Sequence, residues 1–499
     1  MEKSVVPGNQ DAAFLVGNSY LGDIPTTTHM NRKDFLKTTA LASLTPLMAR
    51  NLPSFLSALP EVRTPVAQRK FRSDAVENLL QSLRPRFADA EMGWLFYNCF
   101  PNTLDTTVDF TDGTRPDTFV ITGDIPAMWL RDSTAQILPY LPLAKKDPKL
   151  KRLLAGVINR QTDCILIDPY ANAFNKGATG SEWANDITAM KPELHERKWE
   201  IDSLCYPIRL AHHYWKDTGD TTPFDASWKK AMRLVIQTFR EQQRKENKGP
   251  YQFMRVTSRS IDTPPLDGYG FPIKPVGLIA SMFRPSDDAT VFPFLVPSNF
   301  FALVSLRQMA EMADAFADAT LAADARTLAN EVEKALREYA IVHHPRFGKV
   351  YAYEVDGFGN HLFMDDANAP SLLSMPYFGS CPPDDPIYQN TRRMVLSDGN
   401  PYYYEGKYGK GIGAPHTPEN QIWPISLTMQ ALTSSDEAEI RMCLQTLKTT
   451  HADTGFMHES FHKDNPKQFS RPWFAWANTL FGELLWKLAQ EKPSIVLRS

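Results

Sequence analysis

The sequence predicts an all-α fold, an (α/α)6 toroid in which an outer ring of six helices wraps an inner ring of six. Three observations predict it. From residue 70 onward, a charge-rich, one-sided helix and a strongly apolar helix alternate six times. The loops ahead of several apolar helices are rich in Gly, Pro, Asp and aromatics, and far longer than a helix hairpin needs. The chain has 499 residues, a length that alone suggests about three domains, but the repeat overturns that prior, and 43% hydrophobic content is ordinary for a globular protein with a substantial core.

The charge-rich members fall at 73–95, 144–166, 226–246, 313–340, 384–396 and 435–450. In "DASWKKAMRLVIQTFREQQRKE", Trp228, Met232, Val235 and Phe239 recur at helical spacing while the other faces are charged. The apolar members begin within "LRDSTAQILPYL", "IDSLCYPIRLAHHYW", "LVPSNFFALVSLRQMA", "NAPSLLSMPYF", "IWPISLTMQAL" and "WFAWANTLFGELLW". A helix apolar nearly all round must be buried, whereas a one-sided helix sits outside it. One β-hairpin is expected in "GKVYAYEVDGFGNHLFMDD", where apolar residues alternate on either side of a Gly-containing turn.

Composition excludes several classes. Net charge is −3 and no basic stripe stands out, which argues against a nucleic-acid partner. The five cysteines, Cys99, Cys164, Cys205, Cys381 and Cys443, are scattered and never in CxxC spacing, so they read as buried small hydrophobes. No run of 18 apolar residues predicts a membrane span. Ten Trp, 17 Tyr and 29 Phe supply flat faces suited to a core and to sugar rings.

The N-terminus divides the chain into an upstream extension (1–29), an export segment with linker (30–65) and the folded domain (66–499). "MNRKDFLKTTALASL", from Met30, resembles a bacterial export signal of the twin-arginine type, with Arg32-Lys33 in place of the Arg pair. It predicts an exported, periplasmic protein.

The chemistry is concentrated in the long loops. "GDIPAMWLRDS" carries Asp124, Trp129, Arg131 and Asp132, and "KWEIDS" carries Trp199, Glu200 and Asp202. "FRPSDDATVF" carries Arg284, Asp287 and Asp288, and "MHESFHKDNPKQFSRPWF" carries His458, Glu459, Arg471 and Trp473. A further loop adds Tyr402 to Tyr404, Glu405, His416 and Glu419. Glycoside hydrolysis needs two carboxyl groups flanking the anomeric carbon, and the third and fourth loops can supply them. Adjacent Asp287 and Asp288 repel, which would keep one protonated, as an acid must be. Arg284 would either compete with that effect or orient the second carboxylate, and Glu459, flanked by His458, would hold a water. Taken singly, each residue has a plainer reading as a helix cap, an ion pair or a core aromatic. Their recurrence around one ring is what favours a site. No HExxH, GxSxG, Walker or EF-hand pattern is present. "GKYGKGIG" follows no predicted strand, and His212-His213 sit within an apolar helix, so neither a phosphate loop nor a metal site is predicted.

"TGDIPAMWLRDSTAQILPYL", "FRPSDDATVFPFLVPSNFFA" and "MHESFHKDNPKQFSRPWFAWANTLFGELL" resemble glycoside hydrolase family 125, over roughly residues 70 to 488. The resemblance implies a bacterial exo-acting α-1,6-mannosidase of (α/α)6 fold that needs no metal or other cofactor. It implies inversion, with an Asp acid in the "RPSDD" loop (Asp287 or Asp288) and Glu459 as base. Arg131, Asp132, Asp202, His416 and Arg471 then become candidates for holding the sugar of an α-mannoside substrate. For inversion the carboxyl groups stand roughly 6.5–9.5 Å apart. The rival readings are an α-glucoside-specific enzyme of the same fold and a non-catalytic glycan-binding protein.

Overall fold

The computed structural model describes residues 59–498, which form one compact unit. The upstream extension and the export segment up to residue 58 lie outside the described residues. The domain begins before residue 66, because the stretch assigned as linker is tied into it. Arg63 is buried and pairs with Asp105 at 2.7 Å and Glu77 at 2.6 Å, and the Trp94 indole donates to the Pro60 carbonyl at 2.8 Å.

The outer helices are Asp74–Leu83, Ala90–Cys99, Pro148–Ile167, Ala226–Gln242, Ala319–Tyr339, Pro386–Val395 and Glu437–Thr449, and of these Ala90–Cys99 is buried nearly all round. The first outer position is split in two by a 3₁₀ turn containing Pro85. All seven start on a side-chain cap, provided by Ser73, Asp89, Asp147, Asp225, Asp318, Asp385 and Asp436. Each such cap contributes about 1 kcal/mol.

The apolar helices are Leu130–Ile137, Ile201–Thr218, Val296–Ala315, Pro424–Leu432 and Ala475–Glu491. They start differently. Trp129, Glu200, Leu295, Trp423 and Phe474 occupy the N-cap positions in extended conformation, and none caps with its side chain. Short strands lead into several of these helices, such as Met128–Trp129, Phe294–Leu295 and Gln421–Ile422. The first N–H groups of three of these helices are taken up by other segments, Leu130 by Asn172, Val296 by Tyr353 and Ala475 by Thr122, and the first-turn carboxylates Asp132 and Asp202 stand at that end.

Leu130–Ile137 packs between Ile201–Thr218 and Ala475–Glu491; Val296–Ala315 follows on one side and Pro424–Leu432 on the other. Ala319–Tyr339, Pro148–Ile167, Glu437–Thr449 and Ala90–Cys99 lie against these from outside.

Two expectations need correction. The apolar stretch "NAPSLLSMPYF" is a run of turns rather than a helix. Pro370 and Pro376 leave too short a window for a helix, and the Asp365 carboxylate accepts from the Leu372 and Leu373 N–H groups at 2.8 and 2.9 Å, which anchors the turns in place. Phe378 still fills the inner position, packing on Phe301 at 4.5 Å and Tyr206 at 5.8 Å between ring centroids. The fold is also not purely α: six small sheets of two or three strands occur among the described residues. Glu354–Val355 pairs with His361–Leu362 as the expected hairpin, and Phe294–Leu295 extends it. "GKYGKGIG" lies in a second hairpin, Tyr403–Gly406 with Gly409–Ile412. No disulfide forms among the described residues: Cys99, Cys164, Cys205 and Cys443 are buried thiols and Cys381 is half-buried.

Gly482 marks the closest approach of two helices. A Cβ there would lie 2.7 Å from Phe100 Cα and Cβ. Alanine would favour the helix by roughly 0.5–1 kcal/mol, but overpacking against backbone costs about 1–3 kcal/mol. Gly482→Ala is therefore expected to lower stability by about 1 kcal/mol in urea unfolding, and a gain would contradict the tight packing.

Candidate active site

The loops ahead of the inner helices meet at a cavity of about 160 Å³. This lies below the roughly 300–1,000 Å³ of pockets that take drug-sized ligands. Trp129, Phe474 and Trp423 give it aromatic walls; Arg131, Asp132, Asp287, His416, Glu459 and Arg471 supply the charge. The eight charged positions singled out by sequence thus divide cleanly: six reach the cavity, whereas Asp202 and Asp288 stand behind its wall.

Arg131 is the hub. Its guanidinium donates from Nη1 to Asp132 at 2.8 Å, from Nη2 to Glu200 at 3.1 Å and Asp287 at 3.2 Å, and from Nε to Asp202 at 3.1 Å. A planar fork with donors in several directions suits this task, as a lysine would not. Burial works against the Arg131 charge, but the four carboxyl groups outweigh it and the side chain stays charged. Asp202 is fully buried, and burial lifts it to about 6 against the pull of Arg131. Asp202 therefore orients Arg131 rather than a sugar.

The turn 284–288 separates the two aspartates. Asp287 has φ of 66°, in the left-handed region that Asp tolerates better than most residues, and the Arg284 N–H donates to the Asp288 carbonyl at 2.8 Å. The reversal aims Asp287 at the cavity, where its side chain is 24% exposed, and turns Asp288 inward to 0%. Asp288 instead receives Ser286 Oγ at 3.1 Å and faces His416 Nδ1 at 3.3 Å. The neighbouring aspartates thus do not act as a repelling pair. Burial opposes ionisation of Asp287, but Arg131, Lys198, a hydrogen bond with Glu200 and His416 hold its carboxyl well below the usual range. Glu200 moves the other way: burial, with the charges of Asp287 and Asp202, holds it well above the usual range despite Arg131. Arg284 is likewise remote from the role expected of it, since its Nε donates to Glu354 at 2.7 Å.

Across the loops, Glu459 accepts from Ser470 Oγ at 2.7 Å and lies 3.6 Å from Arg471 Nη1. Arg471 is held by Asp124 at 2.6 Å and by Thr122 Oγ1 at 3.1 Å, and packs over the Phe474 ring at 4.5 Å. Asp124 therefore serves the mouth through Arg471. His458 points away. It stacks on Phe469 at 3.7 Å, and burial lowers it to about 4, so it is neutral. Glu405 and Glu419 are exposed and off the cavity wall. His212 pairs with Glu311 at 2.8 Å; among the described residues no three His, Cys, Asp or Glu are placed to hold a metal ion.

Sequence reasoning missed Asn172, Lys198, Asn368 and Ser470. Asn172 Nδ2 lies 3.0 Å from Glu196, 3.2 Å from Glu200 and 3.3 Å from Asp287. Lys198 Nζ donates to the Asp287 carbonyl at 2.8 Å. Lys198 stands in the already noted "KWE" stretch, but "DPYANAF" around Asn172 carries no signal of its own.

Two carboxyl groups from different loops on the wall of one small polar and aromatic cavity define a site of glycosidase type. Residues 89–486 match the profile described as metal-independent alpha-mannosidase (GH125). The chain belongs to this family of glycoside hydrolases. It is 44% identical over 461 residues to the meiotically up-regulated gene 157 protein of Schizosaccharomyces pombe, covering 88% of this chain and 91% of that one. A metal-independent α-mannosidase of Streptococcus pneumoniae, solved in a non-productive complex with α-1,6-mannobiose, superposes with a TM-score of 0.82 at 42% identity. The match covers 85% of this chain and 100% of that one. A bacterial glucoamylase bound to acarbose, 11% identical, shares the fold alone (TM-score 0.51, covering 81% of this chain and 56% of that one).

His416 gives the site a pH signature. Burial lowers its proton affinity, but the Asp288 contact and the charges of Glu459 and Asp287 prevail and raise it to about 9 from 6.5. A pKa raised on folding stabilises the protein fully below the unfolded value, and the contribution is lost as pH rises through the folded one. The stability difference between wild type and His416→Gln, measured by urea unfolding, is expected to shrink between pH 6.5 and 9. A difference independent of pH would contradict a charged His416.

Proposed function

We propose that this protein is an exo-acting α-1,6-mannosidase that inverts the anomeric centre, removing single mannoses from the non-reducing ends of mannan or N-glycan fragments. The observation that carries this reading is that Asp287 and Glu459, from separate loops, both reach the one small cavity. Asp287 is the acid, because Asp288 faces inward; Glu459, held by Ser470, is the base. Asp287 gives a proton to the leaving oxygen as the bond to the anomeric carbon breaks. Glu459 takes a proton from the water that attacks the opposite face. Arg131, Asp132, His416 and Arg471 hold sugar hydroxyls by charge-assisted hydrogen bonds, and Trp129 and Phe474 pack on the ring. A cavity this small suits one terminal sugar, hence exo action. The α-1,6 linkage is supported by the disaccharide bound in the Streptococcus pneumoniae relative.

The inner positions at 130–137, 201–218, 296–315, 371–378, 424–432 and 475–491 are further proposed to close into the (α/α)6 toroid. Export through the segment beginning at Met30 belongs to the same proposal.

Hydrolysis of α-1,6-mannobiose and of the matching α-1,6-glucobiose, assayed with EDTA present, tests the reading. The mannoside alone is expected to be cleaved, and Glu459→Gln is expected to lose about 100-fold or more in kcat, within the range for removal of a general base. Preference for the glucoside would favour another glycosidase specificity. Binding of mannobiose without turnover would make the protein a lectin-like binder.

A further inference from the structure

We infer that Glu200 and Asp287 hold one proton between them, and that Glu200, which has no access to the cavity, is the positioning residue that keeps Asp287 able to act as an acid. The inference rests on the role of Asp287 proposed above.

The hydrogen-bond count points to it first. Arg131 Nη2 and Asn172 Nδ2 each lie within 3.3 Å of both Glu200 and Asp287, so the two carboxyl groups are neighbours. The Lys198 backbone N–H donates to Asn172 Oδ1 at 3.1 Å, which fixes the orientation of the amide. Asn172 Nδ2 then has two hydrogens for three carboxylate oxygens, those of Glu196, Glu200 and Asp287. A proton between Glu200 and Asp287 resolves the shortage.

Charge balance points the same way. Asp132, Glu200, Asp202 and Asp287 all turn to the single Arg131. The other cations nearby have acids of their own. Lys198 stands against Glu196 at 3.3 Å and Asp262 at 4.0 Å, His416 against Asp288, and Arg471 against Asp124 and Glu459. Four ionised carboxylates on one buried guanidinium would leave charge uncompensated, which a buried site resolves by taking up a proton. Glu200 is fully buried and Asp287 is not, so the proton rests on Glu200 in the free enzyme. The opposed shifts of the two groups agree with this.

In the reaction, the proton passes from Glu200 through Asp287 to the glycosidic oxygen while the bond to the anomeric carbon breaks. The pair goes from one proton to none. Glu459 meanwhile gains one from the attacking water, and exchange with solvent resets both. Arg131, Lys198 and His416 face the doubly charged pair that remains.

Glu200→Gln tests this with two readouts. Hydrolysis of α-1,6-mannobiose is expected to fall about 100-fold or more. Hydrolysis of 2,4-dinitrophenyl α-mannoside, whose leaving group needs no proton, should fall far less, and the alkaline limb of kcat/KM should move to lower pH. Equal losses on both substrates with an unmoved limb would overturn the inference in favour of a purely structural role. The second readout needs no activity. An infrared difference spectrum at pH 7, wild type minus Glu200→Gln, should contain one protonated carboxyl band; its absence would overturn the shared proton. Should Glu200→Gln fail to fold, Asp287→Asn is expected to shift that band by replacing its carboxylate partner with an amide, and an unmoved band would refute the pairing. If the wild type cleaves no mannoside, the functional reading fails while the infrared result still decides the proton.

Discussion

The mouth of this fold depends on one buried guanidinium. Arg131 stands in the first turn of an inner helix and reaches carboxyl groups on its own helix, on the next inner helix and on the 284–288 turn. Removing it would leave several buried carboxyl groups without a partner, a change that breaks buried ion pairs at about 3–5 kcal/mol. The same cation sets the electrostatics of the site. It holds Asp287 ionised in the free enzyme while Glu200, deeper and crowded by like charge, stays neutral. Structural and catalytic demands therefore meet on one side chain.

The helical frame could be read from the sequence because its two kinds of helix differ in what they must bury. Asp147, Asp225, Asp318, Asp385 and Asp436 cap the outer helices from within recognisable polar–apolar boundaries. The stretch 368–378 misled because its apolar content matches an inner helix. What decides its conformation is the spacing of Pro370 and Pro376, which leaves no room for a helix, and the turns are then anchored by the Asp365 carboxylate on the Leu372 and Leu373 amides. The small sheets escaped notice for a related reason: apart from the six-residue strand Asn465–Ser470, their strands have two to four residues, too short for alternation to show.

At the site, sequence identified the loops better than the atoms. Arg131, Asp132, Asp287, His416, Glu459 and Arg471 all come from the stretches it singled out. The choice between Asp287 and Asp288 was beyond it, since that choice depends on a backbone reversal at Asp287 rather than on residue type. Glu200 and Asp202 stand two residues apart at the start of one helix, and only burial reveals that both serve Arg131 and Asp287 instead of a ligand. Asn172 acts through a contact across the fold, in a stretch with nothing local to mark it.

The proposed mechanism needs the proton donor and the water-activating carboxylate on opposite sides of the scissile bond. Proton NMR of early α-1,6-mannobiose digestion by the wild-type protein tests that most directly. The roles of Asp287 and Glu459 predict that β-mannose appears first and converts to the α anomer only by mutarotation. Early α-mannose would mean a covalent intermediate and retention, and would contradict the assignment of Glu459 as a base acting through water.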